Sequence, residues 1–367
     1  VGPRIHVNKR LKVVHVINSL LVGGAETLLA NSLAPGGLCG FTDNVLVYLR
    51  GDSRLLGVLD PAVKTVCLDY RGGTDLPGAL LRLRSLILEE NPDVVHSHLT
   101  HAGLYTHLVC PKSIPHVHTL HIAYSMDTAT SRVLLSLERL LHFGSRRCNV
   151  ICLSEFLKDD LLQHVSFRGA AYVLNNFVAD RFFSGCAREY GLDRRDLRLV
   201  AAGRLMAQKN FEYLLDVFAR CVDREIYLDI YGTGDTRRFE DAVSRGNLRV
   251  RMMGECADLA PVLRGYDLFV MPSKFEGFPL SLFEAMASGL PAMVSDIAPL
   301  RSIVADNAQY LDLGDPGRTA ETLVSILEKK IDINCFARKA TALAGRIARR
   351  ERYIEGLLSI YQRLGRS

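Results

Sequence analysis

The sequence predicts an α/β protein built from two doubly wound domains, each a parallel sheet with helices on both faces. Three observations carry that reading. Short β-rich runs alternate with stretches of helical apolar spacing, the pattern of a parallel sheet with crossover helices. The rhythm starts twice, near residue 11 and again near residue 197. At 367 residues the chain is also longer than one hydrophobic core usually supports.

In the first half, residues 11–16 (LKVVHV) form a β-rich run that leads through Gly23-Gly24 into a helical stretch over 25–33. Residues 44–48 and 63–68 are further strands, bounded by Gly- and Asp-rich turns. A helix over 76–90 stops at Asn91-Pro92, because proline disfavours helical geometry in the residue before it. Residues 93–96, 116–121 and 150–153 read as buried strands. The second rhythm begins with a strand over 199–203 ending in Gly, followed by an amphipathic helix over 211–221. Strands over 226–231, 268–271 and 291–295 continue it, the first ending at Gly232-Thr233-Gly234. Residues 175–183 read as the linker. From Gly317 onward the pattern is helical, with a final helix expected from about 345 to 364. The expected domains are therefore 1–176, 177–345 and a terminal helix 346–367 that crosses back to the first domain.

Composition narrows the classes of function. Hydrophobic residues make up 48% and charged residues 23%, ordinary for a chain with packed cores. No apolar run approaches the roughly 18 residues of a spanning helix. The opening Val1-Gly2-Pro3-Arg4 lacks the features of a secretory signal. Lys and Arg outnumber Asp and Glu by 17 to 14 up to Asn176 and by 28 to 26 beyond it, too little basic excess for nucleic acid. Nine cysteines without a C-x-x-C pair suit a reducing compartment, so a cytoplasmic location is expected.

The most specific segment is residues 275–291, FEGFPLSLFEAMASGLP. Glu276 falls in a Gly/Pro-rich turn and Glu284 inside a helix that begins near Pro279 or Leu280. The free N–H groups and positive dipole of such a helix start seat a diphosphate, and flanking carboxylates accept hydrogen bonds from sugar hydroxyls. Two glutamates at this spacing, taken alone, would usually mean a surface turn and a solvated helix. The length and chemistry of the flanking residues separate the segment from that bland alternative.

This segment resembles the signature of the retaining glycosyltransferases of family 4, which share the GT-B fold. The resemblance extends over most of the chain and is densest from Leu199 to Ile303. It implies two Rossmann-like domains whose parallel sheets face each other across an active-site cleft. It assigns Glu276 to the donor sugar's hydroxyls and Glu284 to the nucleotide ribose, with Phe278, Pro279 and Leu280 in the donor site. The run GRLMAQKN over 203–210 resembles the family's phosphate-gripping loop, so Arg204 and Lys209 become the expected phosphate ligands. Fixed cations there would stabilise a departing nucleoside diphosphate. Gly232 and Gly234 match the loop that approaches the nucleotide; a lone G-x-G could equally be any tight turn. Gly23-Gly24-Ala25-Glu26 resembles the N-terminal Gly-rich loop that nears the diphosphate. Ser295-Asp296 fits the pattern too, whereas Ser302 stands where the family usually has Glu.

All eleven histidines lie at or before His164, and seven fall between His96 and His121. His96-Ser97-His98-Leu99-Thr100-His101 approximates the H-x-H-x-D-H ligand run of metallo-β-lactamase-type hydrolases. Thr100 occupies the Asp position, and no later histidine follows His164 to complete a two-metal site. No metal site is therefore expected. The resemblance instead places His98 on the acceptor side and His121 beside the transferred sugar. His118 points elsewhere by strand alternation and reads as a packed residue.

The implied reaction moves a sugar from a nucleotide donor, with UDP the default base, to a hydroxyl acceptor, retaining anomeric configuration. Neither a metal nor another cofactor is expected, and no Asp-x-Asp pair stands in a suitable loop. The acceptor would be a glycan, a lipid-linked sugar or a small molecule. Arg82 and Arg84, on an amphipathic helix, permit peripheral contact with the inner face of a membrane. Arg346, Arg349, Arg350 and Arg352 read as a solvated face. The alternatives are a sugar-nucleotide epimerase or phosphorylase on the same fold, or a metallohydrolase using His96, His98 and His101.

Overall fold

The computed structural model describes residues 10–21, 23–51, 53–126, 132–143, 148–183 and 195–365. The chain divides into two compact units, Val1–Asn176 with Arg350–Ser367, and Phe177–Arg349. The first carries β1 (Leu11–Ile17), α1 (Gly24–Ser32), β2 (Thr42–Tyr48), β3 (Lys64–Cys67), α2 (Leu76–Glu90) and β4 (Val94–His98). It continues with α3 (Thr100–Val109), β5 (His116–Leu120), α4 (Arg132–Leu137), β6 (Cys148–Cys152), α5 (Glu155–His164) and β7 (Ala171–Val173). These strands make one parallel sheet in the order β3-β2-β1-β4-β5-β6-β7.

The second unit carries β8 (Leu197–Ala202), α6 (Phe211–Phe218), β9 (Ile226–Tyr231), α7 (Arg237–Gly246), β10 (Val250–Gly254), α8 (Leu259–Leu263) and β11 (Leu268–Met271). There follow α9 (Leu280–Ala287), β12 (Ala292–Ser295), α10 (Ala298–Val304), β13 (Gln309–Leu311), α11 (Pro316–Leu327) and α12 (Ile333–Ile347). Its six strands are parallel in the order β10-β9-β8-β11-β12-β13. The last helix, α13 (Arg350–Leu364), belongs to the first unit. Both sheets are thus doubly wound, as the alternating rhythm predicts.

Local signals explain the boundaries. Asn91, in left-handed geometry at φ 44°, closes α2, its N–H bonding Ile87 O at 3.1 Å. Ser154 caps α5 by accepting a hydrogen bond from the Leu157 N–H at 3.3 Å. Strands β4 and β5 are buried along their whole length, so they read as continuous runs rather than alternating ones.

One expectation is corrected at the C-terminus. A single helix over 345–364 does not form: α12 ends at Ile347 and α13 begins at Arg350. Ala348 closes α12, and its carbonyl accepts a hydrogen bond from the Val178 N–H at 2.9 Å, which removes it from any helical ladder. The arginines there also part company. Arg350 donates to the carbonyls of Asn31, Ala34 and Pro35, and Arg349 stacks on Phe183 at 3.8 Å. Only Arg346 and Arg352 lie on an exposed face.

Candidate active site

In each sheet the strand order reverses at one place, between β1 and β4 and between β8 and β11. Loops leaving the carboxyl ends of strands diverge there and open a crevice suited to a ligand.

In the second unit the loop after β8 meets the turn after β11. Gln208 pins them twice: its carbonyl accepts from the Lys274 N–H at 2.8 Å, and its side-chain amide donates to Phe275 O at 2.9 Å. That register brings Lys209 Nζ to 2.7 Å from Glu276 Oε1. Glu276 is buried and Lys209 nearly so, so the pair sits where water screens it weakly. An ammonium has three donors and a carboxylate two acceptor oxygens, so each keeps capacity for a ligand. Arg204, in the same loop, is exposed, and no described carboxylate pairs with it.

The glycines permit this convergence. Gly232 has φ 156°, and a Cβ there would lie 1.8 Å from Gly203 O. Gly234, at φ 141°, would place a Cβ 2.6 Å from Leu205 Cβ. No side chain fits at either position, so the loops after β8 and β9 pack backbone to backbone.

Helix α9 begins beside Glu276. Pro279 occupies its N-cap position, and Phe278 stacks on Phe283 with ring centroids 4.6 Å apart, fixing the entry of the chain. Leu280 is the first helical residue; the Leu282 N–H already bonds Pro279 O at 3.1 Å, which leaves the Leu280 and Ser281 N–H groups for a ligand. Glu284 lies one turn further, half-buried. Burial pushes its carboxyl up to about 7; Arg181 opposes the rise and Asp258 adds to it. Arg181 and Asp258, joined at 3.1 Å, are neighbours that sequence reasoning missed.

In the first unit Gly23 is extended at the start of α1, and a Cβ there would strike the Glu26 carboxylate at 2.4 Å. Gly24 opens the helix. His98 ends β4 and His121 follows β5, their rings 5.7 Å apart. His98 is fully buried with neither ring nitrogen bonded, and His121 Nε2 is buried and unpaired too. Burial holds His98 well below the ordinary range and brings His121 down to about 4, so both are neutral near pH 7. His118 is packed, 3.1 Å from Ser97 Oγ.

The run His96, His98 and His101 does not converge. His96 and His98 share a face of β4, while Val95 on the other face joins the core built by Ala102, Leu104 and Tyr105 of α3. His101 rides on α3 beside Tyr105. The histidine that joins His96 and His98 is His15 of β1, ligand atoms of all three lying within 4.8 Å. His96 is already engaged on both sides, by Tyr361 Oη at 2.6 Å and Thr119 Oγ1 at 2.7 Å.

Two family matches decide what this arrangement belongs to. Residues 196–329 match the family described as Glycosyl transferases group 1, and residues 39–181 match Glycosyltransferase Family 4. The chain is a group 1 glycosyltransferase of the family 4 type. It is 24% identical over 353 residues to the UDP-Gal:alpha-D-GlcNAc-diphosphoundecaprenol alpha-1,3-galactosyltransferase of Escherichia coli, covering 88% of this chain and 90% of that protein. Its structure is similar to sucrose-phosphate synthase from Thermosynechococcus elongatus, with TM-score 0.80 and 18% identity over 96% of this chain and 99% of that one. It is also similar to HepE of Anabaena in complex with UDP and glucose, with TM-score 0.80 and 17% identity over 97% and 100%. At such identities the solved structures establish the fold, which is GT-B. Nothing in these similarities favours the epimerase, phosphorylase or metallohydrolase alternatives.

For this group 1 glycosyltransferase, several contacts at the two crevices were invisible in the sequence. Gln208 carried no charge or motif weight, although it holds the two loops together. Arg82 and Arg84, which on sequence permit contact with a membrane, also have local partners: Arg82 pairs with Asp75 at 3.1 Å, and Arg84 donates to Val109 O at 2.8 Å. Among the described residues no helix is long and apolar enough to cross a membrane.

Proposed function

We propose that this group 1 glycosyltransferase is a retaining, metal-independent hexosyltransferase that uses a UDP-sugar. The observation that carries the reading is the buried Lys209–Glu276 pair, set beside the open N-terminus of α9. Lys209, Arg204 and the first N–H groups of α9 meet the diphosphate. Glu276 accepts from the sugar hydroxyls and Glu284 from the ribose. Phe278, Pro279 and Leu280 supply the wall and main chain of that pocket, and the loop of Gly232 and Gly234 lies along the nucleotide. Gly23 and Gly24 contribute main-chain N–H groups to the diphosphate.

In the reaction the bond from the anomeric carbon to the diphosphate oxygen breaks while the acceptor oxygen bonds the same face of that carbon. The acceptor's proton passes to the departing phosphate oxygen. Catalysis rests on positioning and on charge stabilisation of the leaving UDP, for which one well-placed donor is worth roughly 10²–10³ in rate. His121 hydrogen-bonds the transferred sugar and His98 faces the acceptor; as neutral imidazoles they orient hydroxyls rather than act as strong bases. The acceptor is a hydroxyl of a glycan, a lipid-linked sugar or a small molecule. Work at the inner face of a cytoplasmic membrane fits the lipid-linked acceptor of the Escherichia coli relative.

Calorimetry with UDP, followed by a transfer assay with a panel of UDP-hexoses in the presence of EDTA, tests this reading. NMR of the product's anomeric proton reads the stereochemistry. Tight UDP binding and a product of unchanged configuration are expected. An inverted product, or turnover lost to EDTA and restored by a divalent ion, would overturn it.

A further inference from the structure

A second group of side chains gathers at the carboxyl edge of the first sheet, on the β2–β3 side, away from His98 and His121. Arg50 follows β2, and its N–H bonds Asn18 O at 3.0 Å just past β1. Tyr70 lies beyond β3, its N–H bonding Leu49 O at 2.7 Å. The Arg50 guanidinium stands over the Tyr70 ring, 5.5 Å from its centroid. Tyr105 of α3 packs edge-on against Tyr70 at 5.9 Å, and His101 lies 5.9 Å from Tyr105. Both tyrosines are buried, whereas Arg50 is exposed. Burial lowers the proton affinity of His101, and the Arg50 charge lowers it further.

No carboxylate among the described residues neutralises Arg50. The acids of the neighbouring loop are spent elsewhere, Asp69 on Arg71 at 2.7 Å and Asp75 on Arg82. An arginine braced on an aromatic face, with its fork of donors unpaired, suits a phosphate better than a neutral sugar. It also lies at the carboxyl ends of the strands, the edge on which doubly wound sheets bind ligands, with β2 next to the reversal between β1 and β4.

We propose that Arg50, backed by Tyr70 and flanked by His101 and Tyr105, is the subsite for a phosphate or diphosphate ester carried by the acceptor. This deepens the transferase reading above and rests on it: the Lys209–Glu276 pair that carries the donor reading lies in the second unit, and Arg50 selects an anionic acceptor on the first.

The test is calorimetry on the full chain with UDP saturating, so that the donor site is occupied. Two anionic probes are compared: inorganic pyrophosphate, and farnesyl diphosphate in neutral detergent micelles, with farnesol in the same micelles as control. Binding to the wild type, a loss of about tenfold in Arg50→Gln and partial retention in Arg50→Lys are expected. Arg50-dependent binding of pyrophosphate supports the subsite with a soluble phosphate as sufficient ligand. Arg50-dependent binding of farnesyl diphosphate alone supports it with a lipid-borne source. Equal affinity in Arg50→Gln, no binding of either anion, or farnesol binding as well as its diphosphate overturns the proposal. UDP affinity, which Arg50→Gln leaves unchanged, is measured separately. A wild type that ignores UDP sinks the donor reading, while the anion affinities of wild type and Arg50→Gln still decide the subsite.

Discussion

Lys209 Nζ and Glu276 Oε1 lie 2.7 Å apart although 67 residues separate them, and this contact joins the loops leaving β8 and β11. Glu276 is 5% exposed, so removing either partner strands a charge in a poorly hydrated place. Lys209→Ala and Glu276→Ala should each lower kcat by at least about 10²-fold while the fold persists by circular dichroism. In a double-mutant cycle on stability, a coupling of about 1–3 kcal/mol is expected. Wild-type turnover in either single variant would contradict the assignment.

Gly232 cannot carry a side chain, since a Cβ would fall 1.8 Å from Gly203 O. Gly232→Ala should cost about 2 kcal/mol or more through backbone strain and displacement of the 203–210 loop. UDP affinity should fall with it. Gly40→Ala, where nothing lies within 4 Å of the added atom, is the control and should stay within about 0.5 kcal/mol. Chemical denaturation of both variants provides the comparison.

Glu284 gives stability a distinctive pH dependence. Its carboxyl rises from an ordinary 4.5 to about 7 in the folded chain, chiefly through burial. Between those values the folded chain holds a proton that the unfolded chain has shed. Stability therefore falls as pH rises through that window and levels off above it. Glu284→Gln should abolish this slope and be more stable than wild type at pH 7.5, by on the order of 2 kcal/mol. The same variant should bind UDP about tenfold more weakly if the carboxylate holds the ribose. Tm measured from pH 4.5 to 7.5 for both proteins checks the first claim and calorimetry the second.

The buried histidines act in the opposite sense. Burial brings His15 and His121 from 6.5 down to about 4, so the unfolded chain takes up protons that the folded chain refuses. Their contribution is present above pH 6.5 and is lost as pH falls towards 4. His15→Gln, which can still meet Asn44 across the present 3.1 Å contact, should flatten the acid limb. Comparing wild type, His15→Gln and Glu284→Gln separates the two slopes, which partly offset one another in the wild type.

Much of this protein can be read directly from its residues. The two sheets follow from apolar runs of strand length alternating with helical spacing, and α2 and β9 end where Asn91-Pro92 and Gly232 say they should. The segment from Phe275 to Pro291 announces a turn and a helix start, because Gly, Pro and paired glutamates act over a few residues. What local pattern could not supply is which loops meet. The pairing of Lys209 with Glu276, the clamp made by Gln208, and the grouping of Arg50 with Tyr70 and Tyr105 all depend on strand order. Strand order likewise set His15 beside His96 and His98 and left His101 on a helix. The break between α12 and α13 arose because the Ala348 carbonyl is taken by Val178, far back in the chain. Periodicity along the sequence records which face of an element is apolar; only the folded sheet, by choosing neighbours, decides which polar groups are brought within bonding distance.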